Sequence, residues 1–407
     1  MTVFDRCTDG GYALPGQEHM WQAGLFQCKG EGFGVWLRDS VHIAMRGGSL
    51  IDPETAGRSL LYAIKKGFDN GSDGPAMGAV GLWDYYLATG DRSLLEDGYD
   101  VLRETMTEIE NRYNEEKGLV RAEQSTSNDA FPEPENAGYS LGSECYYMKA
   151  YDSMAKIEKL LHGENENSKK WSKVSEQLRE KIREEYWNDE AGYFTSGPKG
   201  SEAYEKQIWE TSGEEAALWD KFQIATPKQR REILNSGIHT AMTPYGIRLF
   251  PHRKERNHFV GPVWPVWESG FASAAAETQN KELLLTMLAQ QMRTAVLHKN
   301  FHEVLEADTG KSWRWPGQLW HACGFAAQVL YGILGISYDE QGLRFQPCVP
   351  EAFKGLEIEN LNYQSAKLTV KTSGVGTVEY VIFDGEKVDF IPYGLTGNHI
   401  VHIKLKN

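Results

Sequence analysis

Between residues 38 and 335 the apolar side chains return every three or four positions, in long segments broken by short Gly, Pro, Asn or Asp punctuation. Each such segment presents a stripe that must be buried, so the chain has to be mostly helix packed on helix. Val101, Leu102, Met106 and Ile109 fall on one helical face, and Leu284, Met287, Leu288 and Met292 on another. Starts and stops are marked as well. In DPETAGRSLLYAIKKG (residues 52–67) Asp52 can cap the first turn and Pro53 suits its first position, and in TPKQRREIL Thr226 and Pro227 do the same. Gly67, Gly90 and Gly118 each follow a helical pattern, where a C-terminal cap would stand. Roughly ten to twelve helices joined by short connections are expected, with no strict repeat that would make a solenoid.

After YGILGI (residues 331–336) the texture changes. AKLTVKTSG, GTVEYVIFDG and NHIVHIKLKN alternate apolar and polar residues, and Asp384-Gly385 is a turn signal. The expected architecture is therefore an all-helical domain over residues 1–337, of which 1–35 form a lead-in, followed by a small antiparallel β-sandwich over residues 338–407. A length of 407 residues accommodates both cores.

A formal net charge of −14 repels phosphate backbones and anionic headgroups, which leaves nucleic acid and membrane surfaces as poor partners and favours a neutral ligand. No run approaches the eighteen or so apolar residues of a membrane span, and MTVFDRCTDGGY lacks the basic and apolar regions of a signal peptide. Cys7, Cys28, Cys145, Cys323 and Cys348 are widely spaced, odd in number and without a CxxC pair, as in a reduced cytoplasmic protein without a zinc site. Oligomeric state leaves no mark in the sequence.

Several motifs match only in part. GYSLG (138–142) fits G-x-S-x-G but follows the Pro-rich FPEPENA instead of a strand. DNGSDG (69–74) lacks a third-position ligand and has Val80 where a calcium loop needs Glu. HRKERNH has no metal-binding spacing, and no phosphate-cradling glycine loop is present. No cofactor or metal is expected.

What remains are acids flanked by aromatics in the connections between helices. Aromatics reach 12% of the chain, with 12 Trp and 19 Tyr, many beside Gly, Pro or charge. Sugars offer hydroxyls to carboxylates and C–H faces to indoles, so this composition suits a carbohydrate partner. Four stretches qualify: GVWLRDS with Trp36, Arg38 and Asp39; EQSTSNDAFPEPE with Asp129; FVGPVWPVWESGF with Trp264, Trp267 and Glu268; and NFHEVLEADTGKSWRW (300–315) with Glu303, Trp313 and Trp315. The last has almost no periodicity and reads as a loop.

In this order the stretches resemble the six-hairpin glycosidases, in particular the relatives of processing α-glucosidase I and mannosylglycerate hydrolase. TPYGIRLFP...FVGPVWPVWESGFASAAAE is similar to their threonine-rich turn and GPxWP segment, and NFHEVLEADTGK...QLWHACGF to their Asn-Phe-x-Glu segment and Asp-x-Thr-Gly turn. The resemblance implies an (α/α)6 barrel with its site at the mouth and a small β-sandwich after it. It also implies a catalytic base at Glu303, and a general acid at Asp129, with Glu133 and Glu135 as substitutes because STSNDAF lacks the family's glycine and trailing serine. Trp36, Arg38, Asp39, Trp264, Trp267, Glu268, Trp313 and Trp315 are the expected sugar contacts. The implied reaction is inverting hydrolysis of an α-glycosidic bond in an oligosaccharide or small glycoside, with the acid protonating the glycosidic oxygen and the base activating water. A glycoside phosphorylase on the same barrel, for which His321 and Arg314 are the nearby hints, and a non-catalytic carbohydrate-binding protein are the alternatives. An unsaturated-uronide hydrolase fits poorly, since its anionic substrate needs a basic pocket.

Overall fold

The computed structural model describes residues 16–23, 34–67, 73–122, 134–252 and 262–406. Helices come in successive pairs: α1 (Leu37–Ile43) and α2 (Pro53–Lys66), α3 (Gly74–Thr89) and α4 (Arg92–Arg112), α5 (Leu141–His162) and α6 (Glu166–Glu185), α7 (Thr211–Leu218) and α8 (Pro227–Asn235), α9 (Ser269–Thr278) and α10 (Lys281–His298), then α11 (Leu319–Ala327). The first member of each pair is buried over most of its surface. In α3 and α7 nearly every residue is buried, whereas α4 buries one stripe, Leu95, Leu102, Met106 and Ile109. The all-round burial of one set and the one-sided burial of the other separate an inner ring from an outer one.

Inner helices α1, α3, α5, α7, α9 and α11 contact one another in that order, and α11 returns to α1. Small residues permit the approach. A Cβ on Gly81 would stand 2.7 Å from Val41 Cγ2, and one on Gly270 would stand 2.0 Å from the Glu215 carbonyl. Each outer helix carries the chain back, so the inner helices run one way and their N-termini share one end of the barrel, the mouth.

Capping explains where helices begin. Asp52 accepts from the Thr55 N–H at 3.2 Å, and Thr226 and Gln229 form a reciprocal capping box with Pro227 in the first turn. Two expectations are corrected. Gly118 caps no helix: α4 stops at Arg112, and Gly118, at φ 66°, turns the hairpin of β1 (Tyr113–Asn114) and β2 (Leu119–Val120). Met292 is 48% exposed, because eight residues from Leu284 the helix has rotated away from the buried face, and Gln291 points inward instead.

More hairpins follow α6, α8 and α10 and reach the mouth: β3 (Trp187–Asn188) with β4 (Tyr193–Phe194), β5 (Met242–Thr243) with β6 (Gly246–Ile247), and β7 (His302–Leu305) with β8 (Ser312–Pro316). The segment read as a loop is thus a hairpin. Its register shifts between Val304 and Leu305, which breaks the two-residue period that marks a strand.

At the other end, the foot, α11 continues as a π-helical segment to Ile333 and leads into the ribbon of β9 (Ile336–Asp339) and β10 (Gly342–Phe345). A five-stranded sheet follows, from β11 (Glu357–Tyr363), β12 (Ser365–Ser373), β13 (Val378–Phe383), β14 (Glu386–Val388) and β15 (Thr396–Leu405), in the order β11-β12-β15-β13-β14. Three of its pairings are antiparallel, but β12 with β15 is parallel, so the sheet expected to be antiparallel is mixed. Asp384 and Gly385 turn β13 into β14 with positive φ. The sheet docks on the foot through Asn362, which donates to the Leu50 and Ile51 carbonyls, and Gln364, which donates to that of Leu87.

Candidate active site

Six helix N-termini at one end concentrate partial positive charge and unpaired N–H groups, and carboxylates gather there. Asp39 lies in the first turn of α1, Asp73 just before α3, Glu144 in the first turn of α5, Glu210 before α7 with Glu214 in its first turn, and Glu268 before α9. Most of these acids are held by the backbone. Glu144 accepts from the Val120 N–H at 3.0 Å, and Glu210 from those of Ser212 and Gly213 at 2.9 and 2.7 Å. Burial raises the Glu144 and Glu214 carboxyls well above the usual range, against the Val120 and Phe194 N–H groups that favour their ionised forms.

Asp73, fully buried, receives both Nε and Nη2 of Arg38, with Nε at 3.0 Å. This fork ties the start of α1 to the start of α3 and aims Arg38 across the rim. Trp36, half-buried, precedes α1, and the Lys66 ammonium lies 5.8 Å from its ring centroid.

Glu303 stands in β7 and is 8% exposed. Its strand is fixed from both sides: Val263 bridges Leu305, and the Phe301 carbonyl accepts from the Gln318 N–H at the start of α11. The bridge lays the Trp264–Glu268 turn alongside β7. The hydrogen bonds Ala23 N–H to Gly34 and Leu319 N–H to Ala23 join α11 to the approach of α1. Arg38, Asp39, Trp264 and Glu303 therefore belong to adjoining segments of one rim.

Trp267 and Glu268 sit beneath it. Trp267 is fully buried, with His42 edge-on at 4.8 Å and Trp320 at 5.8 Å, and Trp264, 4% exposed, also meets Trp320. Arg46 lies 5.2 Å from the centroids of both Trp219 and Trp267, and pairs with Glu215 at 3.0 Å. The Glu268 carboxylate accepts from Gln291, Gln328 and the Ile247 N–H, at 2.9, 2.8 and 3.3 Å. Burial lifts its pKa to about 7 against those donors. These expected sugar contacts are placed by the structure as the floor of the rim, where their hydrogen bonds and ring contacts brace the turn that carries Trp264.

His321 is buried and donates from Nδ1 to the His302 carbonyl at 2.6 Å. Burial holds its pKa at about 3, so it brings no positive charge for a phosphate. Asp129 and Glu133 lie outside the described residues, as do the side chains of Trp313, Arg314 and Trp315. Glu135 stands half-buried in a 3-10 turn ahead of α5. The sequence reading missed Asp73, Glu144, Glu210, Glu214 and Glu215. For Asp73, Glu144, Glu210 and Glu214 the common signal is an acid in or just before the first turn of a helix that is buried over most of its length.

A family model described as the bacterial alpha-L-rhamnosidase six-hairpin glycosidase domain matches residues 36–249, from Trp36 at the start of α1 to the strand pair after α8. The chain belongs to this six-hairpin glycosidase family. In this six-hairpin glycosidase the matched part includes the Arg38–Asp73 fork and the acids of α5 and α7, and ends before Glu303. Solved structures agree in fold. A sialidase superposes with a TM-score of 0.71 at 14% identity over 92% of this chain, which spans 38% of the sialidase's length. Mannosylglycerate hydrolase of Thermus thermophilus, in complex with glucose, gives 0.59 at 13% identity over 80% of this chain and 98% of that one. A wild-type glycosidase gives 0.58 at 14% identity over 80% and 93%. No curated protein sequence matches the chain. Among the described residues no helix is long and apolar enough to cross a membrane.

Proposed function

We propose that the chain hydrolyses an α-glycosidic bond with inversion, using Glu303 as base and Asp129 as acid, on an α-L-rhamnoside as the family's description suggests. The observation that carries the reading is the buried carboxylate of Glu303 on a strand pinned between the starts of α9 and α11, at the end of a glycosidase barrel where acids collect. A base there takes a proton from water as the water attacks the anomeric carbon. Asp129 gives its proton to the departing glycosidic oxygen, so the two carboxyls should stand about 6.5–9.5 Å apart with room for that water. Trp36 and Trp264, with Trp313 and Trp315, supply faces for the sugar rings, and Arg38, steadied by Asp73, and Asp39 supply polar contacts to hydroxyls. A neutral His321 favours hydrolysis over transfer to phosphate. The test is a proton NMR time course with p-nitrophenyl α-L-rhamnopyranoside. Inversion releases the β-anomer of rhamnose first and the α-anomer only by mutarotation. Initial release of the α-anomer would replace inversion with retention, and no turnover of any α-glycoside would favour the binding-protein reading.

A further inference from the structure

At the foot of the barrel a cavity of about 400 Å3 lies between the C-terminal parts of α3 and α9, the segment after α7 and the β9–β10 ribbon. Its volume is in the range of pockets that enclose small molecules. Six cations reach it, Lys149 and Lys156 on α5, Arg179 on α6, Lys221 after α7, Arg230 on α8 and Arg344 on β10, beside the carboxylates of Asp152, Asp220, Glu277, Asp339 and Glu340. Five have anionic partners. Lys221 donates to Asp84 at 2.6 Å and to the Tyr338 hydroxyl at 2.7 Å, Lys149 and Lys156 pair with Asp152 at 2.8 and 3.2 Å, Arg344 pairs with Asp339 at 2.7 Å, and Arg230 pairs with Glu277.

Arg179 is different. Among the described residues it makes no ion pair, and its guanidinium meets only the Met148 sulfur, 3.6 Å from Nη2. The Nε atoms of Arg179 and Arg230 are both shielded from solvent and without a hydrogen-bond partner among the described residues. Arg179 and Arg230 line one cavity, and buried donors are nearly always met, so two guanidinium groups that each keep an unmet donor point to an acceptor with more than one oxygen. Lys221 adds to the argument. Burial pulls its pKa below the usual lysine range against the pull of Asp84, and the Lys149 ammonium lowers it further, a repulsion that an anion in the cavity relieves. Trp83 and Phe222 give the same cavity apolar walls for the body of such a ligand.

We propose that this cavity is a second binding site, remote from Glu303, for a small molecule bearing a phosphate or carboxylate that Arg179 and Arg230 grip. In a chain of net charge −14 general electrostatic attraction does not favour anions, so their binding must come from a local arrangement of this kind.

The test is isothermal titration calorimetry on the full chain with inorganic phosphate and with malonate, each against sodium chloride at equal ionic strength. One saturable site per chain is expected for at least one of the two. Preference for phosphate assigns a phosphorylated ligand, and preference for malonate a carboxylated one. Arg179→Met, which removes no ion pair, should weaken binding at least about tenfold, and Arg230→Lys, which keeps a cation for Glu277 while removing the Nε donor, should weaken it several-fold. Circular dichroism confirms that each variant is folded. No saturable heat with either anion, or wild-type affinity in folded Arg179→Met or Arg230→Lys, overturns the proposal.

Discussion

At the mouth of the barrel the buried charges are carboxylates met largely by N–H groups of the backbone and of glutamine; at the foot they are ammonium and guanidinium groups met by carboxylates, hydroxyls and carbonyls. Both ends follow from one cause. Six parallel helices turn their positive ends to the mouth and their negative ends to the foot, and the side chains buried there oppose those partial charges. The consequences differ because the groups differ. Buried carboxyls can be raised toward neutrality and exchange protons, as Glu268 shows, while a guanidinium stays charged and can only bind. Proton-transfer chemistry suits the first end, and anion recognition the second.

Substitutions can break or sharpen this contrast. The largest effect on stability is expected at the foot, where Asp84→Asn removes the carboxylate from buried Lys221 and should cost about 3–5 kcal/mol in urea unfolding. A loss under about 1 kcal/mol would mean that the Tyr338 hydroxyl and the Met45 carbonyl suffice, and that the foot does not depend on its ion pair.

At the mouth the signature is pH dependence. Burial raises the Glu268 pKa from 4.5 to about 7, so between those values the folded chain holds a proton that the unfolded chain has released. Stability from this group is full below pH 4.5 and is lost as pH rises through about 7, by roughly 3 kcal/mol in total. Glu268→Gln should abolish that slope: the stability of the wild type relative to the variant should fall by this amount from about pH 4.5 to about pH 8. A difference that stays flat would show that the carboxyl ionises normally. The smallest effect belongs to the rim. Arg248→Ala breaks a 3.0 Å pair with the largely exposed Asp308 and should change stability by no more than about 0.5–1 kcal/mol.

Features set by local sequence were legible. The caps at Asp52 and Thr226 act within one turn, and the stripe Leu102, Met106 and Ile109 lies within one helix. Features that depend on distant partners were not. Nothing near Glu144 announces Val120, and Glu215 meets Arg46 from 169 residues away. The hairpin around Glu303 escaped notice because its bulge erases the alternation of a strand. Trp267 and Glu268 are expected from sequence as sugar contacts, but an aromatic and an acid beside a proline look alike whether they face a ligand or brace a turn. Only the inward positions of Gln291 and Gln328 distinguish the two.

The central claim is that the carboxylate at residue 303 performs the chemistry. Its most direct test is kcat for Glu303→Gln beside Glu306→Gln, whose native carboxylate instead accepts from Thr309 in the adjacent turn. Glu303→Gln should lose about 10^3-fold in kcat with little change in KM, while Glu306→Gln stays near the wild type. Turnover by a folded Glu303→Gln protein at the wild-type rate would contradict the assignment.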